Sequence, residues 1–227
     1  MQEPDAPSIA VTFALPSESR DFQRRIGEDG GRIAILHTGV GEKISRQRIE
    51  PFLDSHSFAC VISSGFAGGV DPSLGVGDLL LAENFSDPAL LARAGELLIC
   101  RVAKLATVDR ILESVAERAA FARQHKAAAV DMETQWIAEA CASRKIPFLS
   151  LRVISDTAAA PFPAPPQVLF DLERQRTSPT RLLGYLLRHP SGIVRLIRFA
   201  RQVGNARAKL ATALEIVLRE LDFQPFA

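Results

Sequence analysis

Two acids stand at the informative corners of residues 127–160. Glu133 follows Ala128-Ala129-Val130 and opens a helical pattern. Asp156 follows the apolar run Phe148–Ile154, where a buried strand would end. In an open α/β sheet, ligands bind in the crevice outside the carboxyl ends of the strands. Two carboxylates aimed at one crevice can divide binding from proton transfer. A glycine segment, Ser64-Gly65-Phe66-Ala67-Gly68-Gly69, follows the apolar run Phe58–Ser63 and offers backbone N–H groups to a ligand at close approach. Its spacing is not GxGxxG and no GK[ST] follows, so a dinucleotide or P-loop reading is poor. Taken alone, a tight turn explains it equally well. Asp156 alone also reads as a strand-end or capping acid, and Glu133 as an acid complementing a helix dipole. Glu18 alone reads as a solvated helix start, Asp131 as structural, and Arg152 as a strand residue paired with an acid. Trp136, Ile137, Ala140 and Cys141 follow helical spacing and read as core, and Phe66 as pocket wall or core.

The elements that must carry these residues alternate. Strands are expected at Ile9–Leu15, Arg32–His37, Phe58–Ser63, Leu79–Ala82, Leu97–Val102 and Phe148–Ile154. Helices are expected after Pro16-Ser17-Glu18-Ser19, around Ile44–Asp54, over Glu113–Lys126 and after Glu133. Such alternation implies an α/β fold, largely parallel, with helices on both faces. Beyond Asp156, residues 158–166 (AAAPFPAPP) form a stiff connector. Two helical patterns follow, around Thr180–Arg188 and Ser191–Leu221, with apolar faces and an arginine-rich one. The domain reading is one unit over 1–227, with a core over about 9–157 and a basic helical extension over 158–227.

Composition narrows the function classes. The chain has 227 residues, 47% hydrophobic and 23% charged, enough for a sizeable core and against disorder. A net charge of +1 gives no support for nucleic acid as a partner. Cys60, Cys100 and Cys141 lie in apolar runs without CxxC spacing, which suggests buried thiols in a reducing cytoplasm. The four histidines lack metal-ligand spacing, so no metal site is expected. The polar N-terminus has no signal-peptide pattern, and no run is long enough to span a bilayer.

Taken together, the pieces resemble the purine and uridine nucleoside phosphorylase superfamily, on the side of the methylthioadenosine/adenosylhomocysteine nucleosidases. The resemblance rests on Gly65–Gly69 with Val76-Gly77-Asp78, on Val130-Asp131-Met132-Glu133, and on Arg152-Val153-Ile154-Ser155-Asp156, in the family's order. Thr38-Gly39-Val40-Gly41 is similar to its second glycine turn. It covers about residues 9–157. The Pro-connected, Arg-rich tail is most similar to the hopanoid-associated phosphorylase branch, whose members are thought to release adenine from adenosylhopane.

The resemblance implies a three-layer fold with a mixed central sheet flanked by helices. It implies cleavage of the N-glycosidic bond of an adenosine-type nucleoside. Asp156 matches the general acid that protonates the purine at N7, a role that needs burial or a nearby like charge to retain a proton. Ser155 orients it. Glu133 matches the ribose-binding acid, Met132 packs on the sugar, and Glu18 matches the acid that holds the attacking water. Phe66, Ala67 and Gly68 of the glycine segment and Ile111 complete the substrate wall. Phosphorylases of the family carry an arginine just before the glycine loop; Val61-Ile62-Ser63-Ser64 has none, which favours water over inorganic phosphate. Phosphorolysis and non-catalytic nucleoside binding are the alternatives. No metal or organic cofactor is implied. A homo-oligomer is expected. The basic C-terminal helices read as a cover for the sheet, a peripheral membrane contact or a subunit interface. A short segment between Ala82 and Leu97 would leave the 5′ side of the pocket more open, and Phe66 stands where the family has a small hydroxyl residue, able to fill part of the pocket or stack on a ligand.

Overall fold

The computed structural model describes residues 9–26, 33–160, 170–171, 176–177 and 192–220. Ten strands and six helices are described: β1 (Ile9–Phe13), α1 (Pro16–Ile26), β2 (Ile33–His37), α2 (Glu42–Ser55), β3 (Cys60–Gly69), β4 (Leu79–Ala82), α3 (Pro88–Leu97), β5 (Arg101–Ala103), β6 (Leu105–Thr107), α4 (Val115–His125), β7 (Ala129–Asp131), α5 (Thr134–Ser143), β8 (Phe148–Asp156), β9 (Phe170–Asp171), β10 (Arg176–Thr177) and α6 (Gly192–Glu220).

Eight strands make one mixed sheet in the order β2-β1-β3-β8-β4-β5, with β7 joined to the far end of β3 and β6 to β7. The β1–β2, β1–β3 and β3–β8 pairs are parallel, whereas β4 runs antiparallel to β8. All five β1 side chains are buried, as expected for a parallel strand covered on both faces. Alternation sorts them. Ile9, Val11 and Phe13 share a core with Phe22 of α1, Leu90 of α3 and Leu210, Leu214 and Val217 of α6. Ala10 faces the other side, with Ile49 and Leu53 of α2 and Ile137 and Cys141 of α5. The result is helix, sheet, helix.

Several expectations change. The glycine segment is not a turn. It is the second half of the ten-residue strand β3, paired with β8 on one side and antiparallel with β7 on the other. Glycines are tolerated there because β7 and β8 both approach closely. The segment between Ala82 and Leu97 holds a helix, α3, whose cap Asp87 accepts from the N–H groups of Ala89 and Leu90, with Pro88 entering the first turn. The strand expected over Leu97–Val102 therefore begins only at Arg101, and β6 was not expected. Cys60 and Cys141 are buried, but Cys100 is only half-buried.

The described part of the C-terminal extension is the single helix α6. Its Ala206, Leu210, Ala211, Ala213, Leu214 and Val217 are buried in the core that β1 lines. Arg207 Nε donates to Asp21 of α1 at 2.7 Å, and Arg93 donates to the Glu220 carbonyl at 2.6 Å. Of the readings for this region, the sheet cover matches what α6 does. The pattern at Thr180–Arg188 and most of the connector lie outside the described residues. No helix among the described residues is long and apolar enough to cross a membrane.

Candidate active site

The central strands end at one side of the sheet, and there the chain opens a cavity of about 220 Å³. Its wall includes Glu18, Phe66, Ala67, Gly68, Ile111, Met132, Glu133, Ser155 and Asp156, all nine residues that the sequence assigns to the site. Ala14, Leu15, Val40, Val108, Arg110, Leu112, Arg118, Val130 and Asp131 complete it.

A bulge explains how Ser155 and Asp156 both reach the cavity. Successive strand residues normally point to opposite faces. Along the β3–β8 pair, Ala67 faces Ile154 but Gly68 faces Asp156, so Ser155 is the extra residue. Such a bulge re-aims side chains at a strand end. The Ser155 hydroxyl donates to Asp156 Oδ1 at 2.7 Å. Asp156 is 2% exposed. Retaining a proton there called for burial or a like charge. Burial is met, but the charged neighbour is a cation: the buried Arg118 guanidinium donates to Asp156 Oδ2.

Glu133 sits at the start of α5 but makes no cap to it; Asp131 accepts from the Thr134 N–H instead, at 3.1 Å. The Glu133 carboxylate accepts from the Gly41 N–H at 3.1 Å. Gly41 has φ +88°, a conformation that glycine takes without penalty. The second glycine turn thus braces the acid. Burial pushes the Glu133 carboxyl well above the usual carboxylate range; Asp131 and Glu18 add to the rise, while Arg152 and the Gly41 N–H oppose it.

Glu18, in the first turn of α1, folds back on its own entry turn. Its Oε2 accepts from the N–H of Ala14 at 3.0 Å and of Leu15 at 3.4 Å. The Phe66 N–H is a third donor, and Arg152 acts on it by charge. Burial nevertheless lifts the carboxyl to about 7. Arg152 is opposite Gly65 in the β3–β8 register. It is committed to Asp131 (3.1 Å), Ser63 (2.8 Å) and Thr134 (2.6 Å). The segment before the glycines lacks an arginine in sequence, yet the neighbouring strand supplies one, with Glu18 beside it.

Gly65 makes that approach feasible. Its φ is +154°, and a β-carbon there would stand 2.9 Å from Glu18 Oε2 and 3.1 Å from Arg152 Nη1. Gly65→Ala is therefore expected to cost about 1–3 kcal/mol in urea unfolding, the range for forcing a methyl into a packed interior, and to lower turnover by displacing Glu18. Unchanged unfolding and turnover would refute the close approach.

Known proteins resemble the chain in sequence and in fold. A sequence model of the Phosphorylase superfamily matches residues 86–188. The 5′-methylthioadenosine/S-adenosylhomocysteine nucleosidase of Colwellia psychrerythraea is 27% identical over 203 residues, 69% of this chain and 82% of that protein. The enzyme of the same description from Anoxybacillus flavithermus is 29% identical over 163 residues, 57% of this chain and 70% of that protein. The chain is similar to nucleoside phosphorylase-type, nucleosidase-like proteins.

Its fold agrees. Futalosine hydrolase of Helicobacter pylori superposes with a TM-score of 0.71 at 19% identity, over 95% of this chain and 99% of that one. A 5′-methylthioadenosine/S-adenosylhomocysteine nucleosidase from S. pneumoniae, solved with a transition-state inhibitor, gives 0.71 at 18% identity, over 94% and 99%. These likenesses show a shared fold.

Sequence reasoning missed Arg118, a buried charge in the pocket wall. A signal existed. Residues three and four apart share a helix face, and Arg118 shares one with Phe121 and Ala122, which pack against the buried Val70, Leu112 and Val130. An arginine on the inward face of a helix needs a buried acid, and Asp156 is that acid.

Proposed function

We propose that the protein hydrolyses the N-glycosidic bond of an adenosine-type nucleoside. The reading rests above all on one observation: the Glu18 carboxylate occupies a nest of donors at the cavity wall. The N–H groups of Ala14, Leu15 and Phe66 converge on it, beside the Arg152 charge. A nest of this kind suits an anion. Here the protein's own carboxylate fills it, which disfavours a second anion such as phosphate and supplies a base for water.

The proposed chemistry is dissociative. The C1′–N9 bond breaks and its electron pair leaves with the base. Glu133 accepts hydrogen bonds from the ribose hydroxyls through its carboxyl oxygens, fixing the sugar at the cavity wall. Water held by Glu18 attacks C1′ and gives Glu18 a proton. A carboxyl lifted to about 7 suits that exchange near neutrality. Asp156, ion-paired with Arg118, is assigned to the leaving base, which takes up one proton so that nucleoside plus water gives base plus sugar. Met132 and Phe66 line the apolar side. The 5′ group is the finer question, with methylthioadenosine and adenosylhopane as the two candidates that the sequence resemblance suggests.

Incubation with a panel of adenine nucleosides, with and without inorganic phosphate, tests the reading by mass analysis of the sugar. Free sugar at a rate indifferent to phosphate is the expected result. Formation of a sugar 1-phosphate would establish phosphorolysis instead.

A further inference from the structure

From Arg174 to Leu214 the chain carries nine lysines and arginines and no Asp or Glu; with a net charge of +1 overall, the remainder is left at −8. Part of that run lies in α6, and the two halves of this helix differ. An apolar stripe at alternating three- and four-residue steps runs along it. Ala206, Leu210, Ala213 and Val217 of the stripe are fully buried, whereas Leu196, Phe199 and Val203 are only half-buried. Beside Leu196 stand Ile197, 49% exposed, and the exposed Ala200. Arg198 and Arg201 complete this outward face, both exposed. Arg207 is paired with Asp21, but Arg198 and Arg201 make no ion pair among the described residues.

The basic half lies on the cavity side of the molecule. Arg207 donates to the Ser17 carbonyl at 3.4 Å and to Asp21 at 2.7 Å, and Arg25 meets Glu215 at 3.3 Å, so α6 runs beside α1 in the same direction. α1 starts just past the carboxyl end of β1. Gln202 and Asn205 share a cleft with Gly77 and Asp78, whose backbones bond that of Ile154 near the end of β8. Residues 192–205 thus carry the helix about 20 Å onward from this edge of the sheet, at 1.5 Å per residue.

We propose that the N-terminal half of α6 docks on an anionic bilayer surface. Arg198 and Arg201 reach the headgroups, while Ile197, Ala200 and the uncovered part of Leu196 rest at the acyl boundary. The −8 on the rest of the chain is repelled from the same surface, so the charge separation also orients the molecule, with the cavity side toward the lipid. A nucleic-acid duplex would meet the arginines but offers no apolar phase for Ile197.

Co-sedimentation of the full chain with vesicles tests this. At about 0.1 M salt, where charge attraction reaches about 10 Å, the protein is expected to pellet with phosphatidylcholine–phosphatidylglycerol vesicles and to stay in solution with phosphatidylcholine alone. At about 1 M salt, where the reach falls to about 3 Å, it should be released. Arg198→Gln/Arg201→Gln is expected to weaken partition about 10–30-fold, the worth of two cations at an anionic surface, and Arg198→Lys/Arg201→Lys to keep it. Circular dichroism and thermal melting establish that the variants are folded. Absence of binding to the anionic vesicles at the lower salt overturns the proposal, as does equal binding to neutral ones. A folded Gln double variant that partitions like wild type overturns it too. Retention of a DNA duplex in preference to the vesicles would make the face a nucleic-acid surface instead.

Discussion

Glu18→Gln is expected to lower kcat by about 10²–10⁴-fold, the usual worth of a positioned base, while stabilising the fold above neutral pH. Both effects have one origin. Burial raises the Glu18 carboxyl from 4.5 to about 7 against the opposing pull of Arg152 and the backbone N–H groups. The folded protein then holds a proton that the unfolded chain has already released. The folded state binds more protons, so stability falls as pH rises from about 4.5 to about 7 and is level beyond. Ionising Glu18 in the fold costs up to about 3 kcal/mol at pH 8, since each tenfold change in proton affinity is worth about 1.4 kcal/mol. Gln carries no such cost. Its amide N–H₂ does meet the donors that surrounded the carboxylate, which trims the gain to about 0–2 kcal/mol. Urea unfolding at pH 5 and pH 8 should show the variant gaining on wild type between the two. Activity runs the other way: the base must be ionised, so wild-type turnover should rise through about pH 7, while the residual activity of Glu18→Gln lacks that limb. A variant with wild-type kcat would remove Glu18 from the chemistry.

That trade-off bears on what a reader of the sequence can see. The acids were legible because they sit at junctions: Glu18 just after β1, Glu133 at the entry to α5, and Asp156 at the end of β8. The carboxyl ends of the parallel strands β1 and β8 fall on one side of the sheet, which brings Glu18 and Asp156 together. The two-faced core was legible from the apolar runs. Three features were not. The glycine segment reads as a turn because glycine is a turn residue, yet pairing on both sides makes it strand. The bulge at Ser155 has no local signature, since it follows from register between β3 and β8. Arg118 joins Asp156 across 38 positions of sequence, and only the packing of α4 under the cavity sets that pair. A general acid at Asp156 called for burial or a like charge, whereas the fold supplies burial together with the opposite charge.

Asp156→Asn therefore makes two demands on the protein at once, and its expected result has two parts. The first is catalytic. If Asp156 meets the base, the variant should still bind an adenine nucleoside but lose about 10²–10⁴-fold in kcat. A KM or Kd within a few-fold of wild type separates this from loss of the pocket. The second is structural. Asn removes the charge that Arg118 faces, and both side chains are about 3% exposed. Breaking a buried pair from one side typically costs about 3–5 kcal/mol, because the remaining charge stays buried without its partner, whereas removing both charges together is often close to neutral. Asp156→Asn should accordingly melt well below wild type, and adding Arg118→Met should restore much of that stability without restoring turnover. The two curves separate roles that a single variant would confound. If the double variant recovered stability and activity together, the pair would be a structural strut and the chemistry would lie elsewhere. If Asp156→Asn alone kept full turnover, glycosidic cleavage at this cavity would have to proceed without it. The stability loss with retained ligand affinity is the signature of a cavity whose wall is an ion pair and whose acid works on the base.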